Sequence, residues 1–473
     1  MSPSWATSGL DLHLDMTGRG VRAGVEHALR EAVRSGRLGP GTVLPSSRGL
    51  AGDLGVARNT VATAYAQLVA EGWLTARQGS RTRVGDRVPA AVLAAAPTPS
   101  PARPPPFDLR AGAPDLSSFP RTLRLGATRR ALRVATAADL GYPDPRGVAP
   151  LREALAGYLT RARGVQASPE QVVVCSGFGH GLALLARMLH ARGGRVLAAE
   201  SHGLTDLLQT ATTTGFEVST LPVDHDGAVV DDLGGQAAVL LTPAHQFPLG
   251  VVLGPRRRSQ VVQWARDSGA LVIEDDYDGE FRYDRHPVGA LQALAPEHVI
   301  YAGTVSKTLA PGLRLGWLVL PAHLMEEVTA LLADTTVSTL GQLALAELIT
   351  SGGYDRHVRR QRLAYRHRRD HLIAAVQQIP GVQVTGVAAG LHLILRLPPG
   401  MTEHGAIDRC RVAGVTVRGL TTYQLGSHIQ PAALVIGYAT PAAHAFRSAT
   451  AALTTALTTR PPQARHHQPT PRS

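Results

Sequence analysis

Lys307, within "YAGTVSKTLAPGLRLGW" (residues 301–317), is the only lysine among 473 residues, so the other 47 of the 48 Lys and Arg are arginine. The surplus of Ala, Gly, Pro and Arg reads as drift toward GC-rich codons, under which an exposed lysine becomes arginine at little cost. A lysine that persists is a candidate for chemistry that arginine cannot do. An amine can lose its proton near neutral pH and condense with a carbonyl, whereas guanidinium stays protonated. Seven residues on, Arg314 offers a planar fork suited to a phosphate. Upstream, "VIEDDYDGEFRY" (residues 272–283) carries the adjacent carboxylates Asp275 and Asp276 and then Tyr277. "CSGFGHG" (residues 175–181) is a glycine-rich turn into a helix, where backbone N–H groups receive an anion.

These residues need strands to carry them. "QVVVCSG", "RVLAAE", "AAVLLTP", "ALVIEDD" and "VIYAGTVSK" are β-branched or apolar runs, and helical stretches lie between them. That alternation predicts a mostly parallel sheet covered by helices on both faces, an α/β architecture. Ligands in such sheets bind at the carboxyl ends of strands. Ser176 and Gly177, Glu200, Pro243 to Gln246, Asp275 to Tyr277 and Lys307 all fall at such ends. A lysine can hold an aldehyde as a Schiff base, and a carboxylate can keep a pyridine nitrogen protonated so that the ring is an electron sink. Aldehyde, pyridinium and phosphate together describe pyridoxal 5′-phosphate. Side-chain alternation lets only one of Asp275 and Asp276 face such a ring.

The first 87 residues read differently. They hold 11 Arg against 7 Asp or Glu, a net of +4 out of +12 for the whole chain. A basic balance favours a polyanionic partner. "VRAGVEHALREAVRSG" (residues 21–36) has apolar residues at helical spacing and stops at glycine. After it, Ser46 or Ser47 can cap a second helix, Gly55 makes a turn, and 57–71 forms a third. "LTARQGSRTRV" (residues 74–84) alternates around Gly79 like a hairpin. Helix, helix, turn, helix, hairpin is a winged helix-turn-helix. Arg58, Asn59 and Thr60 would enter a major groove and the wing would touch backbone or minor groove. A helical docking domain with solvated arginines is the alternative. The Pro- and Ala-rich residues 88–107 read as a linker, and residues 458–473 as a disordered tail. The expected units are therefore 10–87, 88–107, 108–457 and 458–473.

The stretch from Leu44 to Val84 resembles the DNA-binding domain of GntR-type bacterial regulators. That resemblance places Arg48, Arg58, Asn59, Thr60 and Gly79 on the DNA face. "TVSKTLAPGLRLGW", "LTPAHQFPLGVVLG", "VIEDDYDGEFRY" and "GYPDPRGVAPLREALAGYLTRARGV" resemble fold-type-I aminotransferases. More narrowly, they resemble the MocR-like branch, in which such a domain follows a GntR-type head and which includes a vitamin B6-responsive subgroup. The resemblance implies that Lys307 is the Schiff-base residue, Asp275 pairs with the pyridine nitrogen and Tyr277 donates to the ring O3′. It implies that Thr304, Ser306, Arg314 and the turn of Ser176, Gly177, Phe178 and Gly179 surround the phosphate. It also implies a homodimer in which Tyr142 reaches the phosphate of the partner subunit, and a smaller C-terminal α/β subdomain.

Three positions depart from the catalytic relatives. Phe247 stands where an asparagine usually contacts O3′. The aromatic that usually stacks on the ring is missing, leaving Leu204 or His202 at that place. Val435 stands where an arginine usually holds the substrate α-carboxylate, and neither Arg396 nor Arg418 lies in that motif. A carboxylate left without a counter-charge in a closed site costs several kcal/mol. The expectation is a transcriptional regulator that binds double-stranded operator DNA and senses pyridoxal phosphate or a small amine. An active aminotransferase with a vestigial head is the alternative, and a dimerisation scaffold without cofactor is a third reading. Two cysteines exclude a disulfide framework, and the 19 histidines have no metal-ligand spacing. Neither a signal segment nor a bilayer-spanning run stands out, so a cytoplasmic setting without membrane contact is expected. "RRR" at 256–258 and the arginine-rich 356–371 read as solvated helix faces.

Overall fold

The computed structural model describes residues 20–77, 81–86, 106–284, 288–332, 337–426 and 430–458. Gln78 and Gly79, the linker up to residue 105 and the tail from residue 459 lie outside these. The chain divides into two compact units, residues 1–104 and 105–473.

The first unit is three helices and a small hairpin. Helix α1 (Val21–Arg34) buries Val25, Ala28, Leu29, Ala32 and Val33, one stripe at helical spacing. Helix α2 (Ser47–Leu54) is capped by Ser46, whose hydroxyl accepts from the Gly49 N–H at 3.1 Å. It ends at Gly55, whose φ of 65° lets the chain turn directly into helix α3 (Arg58–Ala70). Val61, Ala64, Tyr65 and Leu68 of α3 close the core. Arg30 grips Glu71 through two bonds of 2.9 and 2.8 Å, fixing α1 to the end of α3. Strands β1 (Leu74–Thr75) and β2 (Arg83–Val84) pair antiparallel. The expected helix, helix, turn, helix, hairpin order is present.

The second unit opens with strand β3 (Phe107–Asp108), then helices α4 (Arg121–Val134) and α5 (Ala149–Arg163). Strand β4 (Val172–Cys175) leads into helix α6 (Phe178–Ala191), and β5 (Val196–Glu200) into α7 (Thr205–Thr213). Strand β6 (Glu217–Leu221) and the short pair β7 (Val223–Asp224) and β8 (Gly227–Ala228) precede β9 (Ala238–Leu241), α8 (Pro255–Ser268) and β10 (Leu271–Asp275). Strands β11 (Val299–Thr304) and β12 (Gly316–Val319) complete a seven-stranded sheet in the order β4-β12-β11-β10-β9-β5-β6. All of its neighbours run parallel except β12, which is antiparallel to both β11 and β4. Strands β10 and β11 at its centre, and β4 at its edge, are buried at every residue, which is why they read as unbroken apolar runs.

Helices α9 (Met325–Ala330), α10 (Thr339–Thr350) and the 24-residue α11 (Gly353–Val376) lead to a smaller α/β region. Its strands are β13 (Gln383–Thr385), β14 (His392–Arg396), β15 (Val415–Thr416), β16 (Arg418–Gly419) and β17 (Ala433–Gly437), with helices α12 (Glu403–Val412) and α13 (Phe446–Thr458). Four of them form a sheet in the order β13-β14-β17-β16. Strand β15 instead pairs with β3, so the first strand of this unit is hydrogen-bonded into the small C-terminal region.

Candidate functional site

The carboxyl ends of β4, β5, β9, β10 and β11 converge on one cavity of about 190 Å³. Its lining includes Gly177, Phe178, Glu200, Thr242, Asp275, Tyr277, Thr304, Ser306, Lys307 and Arg314. Three expected residues do not line it. Ser176 and Gly179 flank the turn, and Tyr142 is fully exposed on this single chain.

Strand alternation separates the two aspartates. Asp275 ends β10 facing the cavity, only 9% exposed, and its Oδ1 has no hydrogen-bond partner. Burial, opposed by the charge of Lys307, pushes its carboxyl up to about 8. Asp276 turns the other way, into a buried ion pair with Arg163 at 2.6 Å and a bond of 2.7 Å from the Tyr301 hydroxyl. The Lys307 Nζ donates to the Gly112 carbonyl at 2.6 Å. Burial lowers the pKa of this amine, while Asp275 and Asp278 act to raise it. A buried amine eased toward its neutral form is a competent nucleophile.

One end of the cavity suits an anion. Gly177 precedes α6 with a φ of 94°, and a Cβ there would lie 3.6 Å from the Arg314 guanidinium. Arg314 itself has a φ of 51°, the only described non-glycine residue in the left-handed region. Helix α6 starts here, with Gly177 and Phe178 in the lining; the N–H of His180 is taken by the Gly177 carbonyl at 3.1 Å, which leaves those of Phe178 and Gly179 as the first-turn donors. Thr304 and Ser306 hydroxyls are linked at 2.8 Å beside them. Gly316 must stay small, since a Cβ there would stand 2.9 Å from the Gly177 Cα.

The other walls are apolar, with two imidazoles. Leu204 and His202 both line the cavity, as do Phe247, Leu391 and Leu425. Phe247 packs edge-on against Tyr277, His392 and Tyr423 at 5.9, 5.1 and 5.1 Å. Val435 is fully buried in β17 within that same cluster, away from the cavity lining. Lys307 and Arg314 are the only lysine or arginine among the described lining residues, so neither Arg396 nor Arg418 reaches in. Glu200 accepts from Thr242 and from Gln246, and burial brings it up to about 7. His392 donates from Nε2 to the Pro248 carbonyl, 2.9 Å away, and burial pushes its pKa down to about 4.

Sequence reasoning missed the Gly112 carbonyl, His392, and the tie of Tyr277 to His245 and Asp278. The Tyr277 hydroxyl lies 3.0 Å from the His245 Nδ1, which is 2.9 Å from the Asp278 Oδ2. His245 falls in a strand-end run already marked by position, whereas a carbonyl has no signature in a sequence.

In the first unit, Arg48, Arg58 and Asn59 are exposed and Thr60 is half-buried at the start of α3. Arg48 and Arg58 have no ion-pair or hydrogen-bond partner among the described residues. Gly79 lies outside those residues. No described helix is long and apolar enough to cross a membrane, and no described cluster could hold a metal.

Residues 105–445 match the family described as aminotransferase class I and II, and residues 22–84 match bacterial regulatory proteins of the gntR family. A pyridoxine biosynthesis transcriptional regulator of helix-turn-helix type, PdxR of Corynebacterium glutamicum, is 36% identical over 78% of this chain and 81% of its own. A probable rhizopine catabolism regulatory protein, MocR of Rhizobium meliloti, is 32% identical over 87% of this chain and 88% of its own. Among solved structures, an archaeal alanine:glyoxylate aminotransferase superposes with a TM-score of 0.67 at 25% identity, covering 74% of this chain and 90% of that one.

Proposed function

Since this chain belongs to the class I and II aminotransferase family and carries a gntR-family regulatory domain ahead of it, we propose that it is a DNA-binding transcriptional regulator that senses pyridoxal 5′-phosphate or a small amine. The observation that carries the proposal is the placement of the sole lysine. Lys307 shares a cavity with a buried carboxylate, Asp275, whose Oδ1 has no hydrogen-bond partner, and with the anion-receptive Arg314 and α6 N-terminus. When bound, the cofactor supplies an aldehyde that captures amines and a visible chromophore. Lys307 would hold the aldehyde carbon, Asp275 the pyridine nitrogen, and Tyr277 the ring oxygen. Arg314, Thr304, Ser306 and the turn from Ser176 to Gly179 would hold the phosphate. The residues present fit the group: Asp275 Oδ1 lacks a partner that a protonated ring nitrogen would supply, and the space before the Arg314 guanidinium is one that a Cβ on Gly177 would enter.

The lining supports a sensor over a turnover enzyme. With Lys307 and Arg314 assigned to the cofactor, no arginine or lysine among the described lining residues remains for an α-carboxylate. The fully exposed Tyr142 and the exposed apolar side chains of Leu125, Leu132, Val134 and Leu140 support a homodimer in which such surface is covered. Exposed Arg48, Arg58 and Asn59 support duplex DNA as the partner of the first unit.

The test takes a duplex selected by the full-length protein from a random library. Pyridoxal phosphate is titrated against apo-protein on that duplex while common α-amino acids are assayed for turnover. Cofactor-dependent change in DNA affinity, lost in Lys307→Ala, is the expected result. Robust amino-acid turnover with DNA affinity indifferent to the cofactor overturns the reading in favour of the enzyme.

A further inference from the structure

The Tyr277, His245 and Asp278 side chains form a chain at the cavity wall whose proton direction can be worked out. His245 and Asp278 are 3% and 2% exposed, and the His245 ring stacks on Tyr277 with centroids 6.2 Å apart. Gly390 closes over the pair: any side chain there would collide with His245 and with Asp278. One ring nitrogen, Nδ1, faces both oxygens, at 3.0 Å to Tyr277 and 2.9 Å to Asp278. A carboxylate only accepts, so a bare Nδ1 would set two lone pairs against each other. The proton therefore sits on Nδ1 and points to Asp278. Tyr277 can then only accept from His245, and its own hydroxyl proton must go elsewhere.

Resting on the proposed function above, we propose that His245, anchored by Asp278, is a positioning residue that aims the Tyr277 hydroxyl proton into the cavity, where the ring oxygen of pyridoxal phosphate would take it. The groups facing this chain are Asp275 and Glu200 toward Tyr277, His392 against the His245 ring, Lys307 across the cavity, and Arg282, which donates to the neighbouring Ala244 carbonyl. Burial first, then Asp278 and Asp275, hold Tyr277 well above the usual phenol range, so it stays a donor. Asp278 is also the competing acceptor for that proton, and the Nδ1–H on the same carboxylate weakens its claim.

The experiment reads the pH midpoint of the visible absorption of the full-length protein loaded with pyridoxal phosphate. A donor on the ring oxygen disfavours proton uptake by the adjacent lysine-derived nitrogen, so losing it raises the midpoint. Tyr277→Phe sets the reference, a rise of about half to one pH unit. Asp278→Asn lets an amide N–H face Nδ1, which can then take the Tyr277 proton. In a wild-type background that variant should raise the midpoint. In Tyr277→Phe, where only loss of a negative charge near a cation remains, it should lower the midpoint or leave it unmoved. The difference between backgrounds is the coupling. Equal effects of Asp278→Asn in both backgrounds overturn the proposal. Should that variant not fold, His245→Phe leaves Asp278 as the nearest acceptor for Tyr277 and should raise the midpoint likewise; no rise, or the same change in Tyr277→Phe, overturns it. Absence of any visible band removes the cofactor reading itself, and this inference with it.

Discussion

Replacing Asp275 by asparagine should make the apo-protein more stable, and increasingly so as pH rises. Its carboxyl is pushed from 3.8 to about 8 by burial, with Asp276, Asp278 and Glu200 adding to the rise and Lys307 opposing it. A carboxyl raised in the folded state binds more protons folded than unfolded, so its stability contribution is complete below about pH 4 and is lost as pH climbs toward 8. The slope limit is ~1.4 kcal/mol per pH unit, so the span from about pH 5 to pH 8 is worth roughly 4 kcal/mol at most. Partial pairing with Lys307 brings the expectation to about 2–4 kcal/mol. Urea unfolding of apo wild type and apo Asp275→Asn at several pH values gives the difference directly. Glu274 and Glu280, each also raised to about 7 but acted on by Asp276 rather than Asp275, cancel in that difference, whereas Glu200, which acts on Asp275, contributes to it. Parallel stability profiles, or a variant less stable than wild type at pH 8, would refute the reasoning. Saturating pyridoxal phosphate should reverse the order, because a protonated ring nitrogen needs the carboxylate.

One residue along, Asp276→Asn should have the opposite effect, costing about 3–5 kcal/mol in urea because it strands the buried Arg163 guanidinium. Borohydride reduction of the cofactor-loaded protein should leave one pyridoxyl group per chain, mapped to Lys307 by peptide mass, and Lys307→Ala should abolish the visible band. Arg314→Asn tolerates the left-handed backbone, so its expected loss of about 10- to 100-fold in pyridoxal phosphate affinity, read by fluorescence titration, reports the guanidinium alone. Arg58→Ala should cost about 1–3 kcal/mol of sequence-specific DNA binding, whereas Arg81→Ala should weaken all duplexes alike and flatten the salt dependence.

The sheet was readable because strands buried on both faces are written as unbroken apolar runs, and β4, β5, β9, β10 and β11 all stand where such runs lie. Strand alternation said that only one of Asp275 and Asp276 could face the cavity; it did not say which, and the buried pairing of Asp276 with Arg163 is visible only in the packing. Antiparallel β12 was not readable as such: it slips between β4 and β11, and its partner Val172–Cys175 lies more than a hundred residues away. The same distance hid Arg163 from Asp276, 113 residues apart, and Tyr365 from Asp115, 250 apart. His245 and Asp278 are 33 residues apart on different strand ends, so only packing reveals that one ring nitrogen serves two oxygens. Helix α3 was placed to within a residue at each end, since Gly55 and Glu71 bracket it with their own turn chemistry.

The bond from the Lys307 Nζ to the Gly112 carbonyl gives the lysine a second occupation. Gly112 stands four residues beyond β3, the strand by which the body begins and through which it is laced to β15. Lys307 would have to give up hydrogens to bond covalently to an aldehyde carbon, and the donor that now serves Gly112 would be lost from it. Under the proposed function, capture of a carbonyl compound at Lys307 would therefore release the Gly112 end of the segment that begins at β3, so that the chain's single lysine would let go in order to take hold.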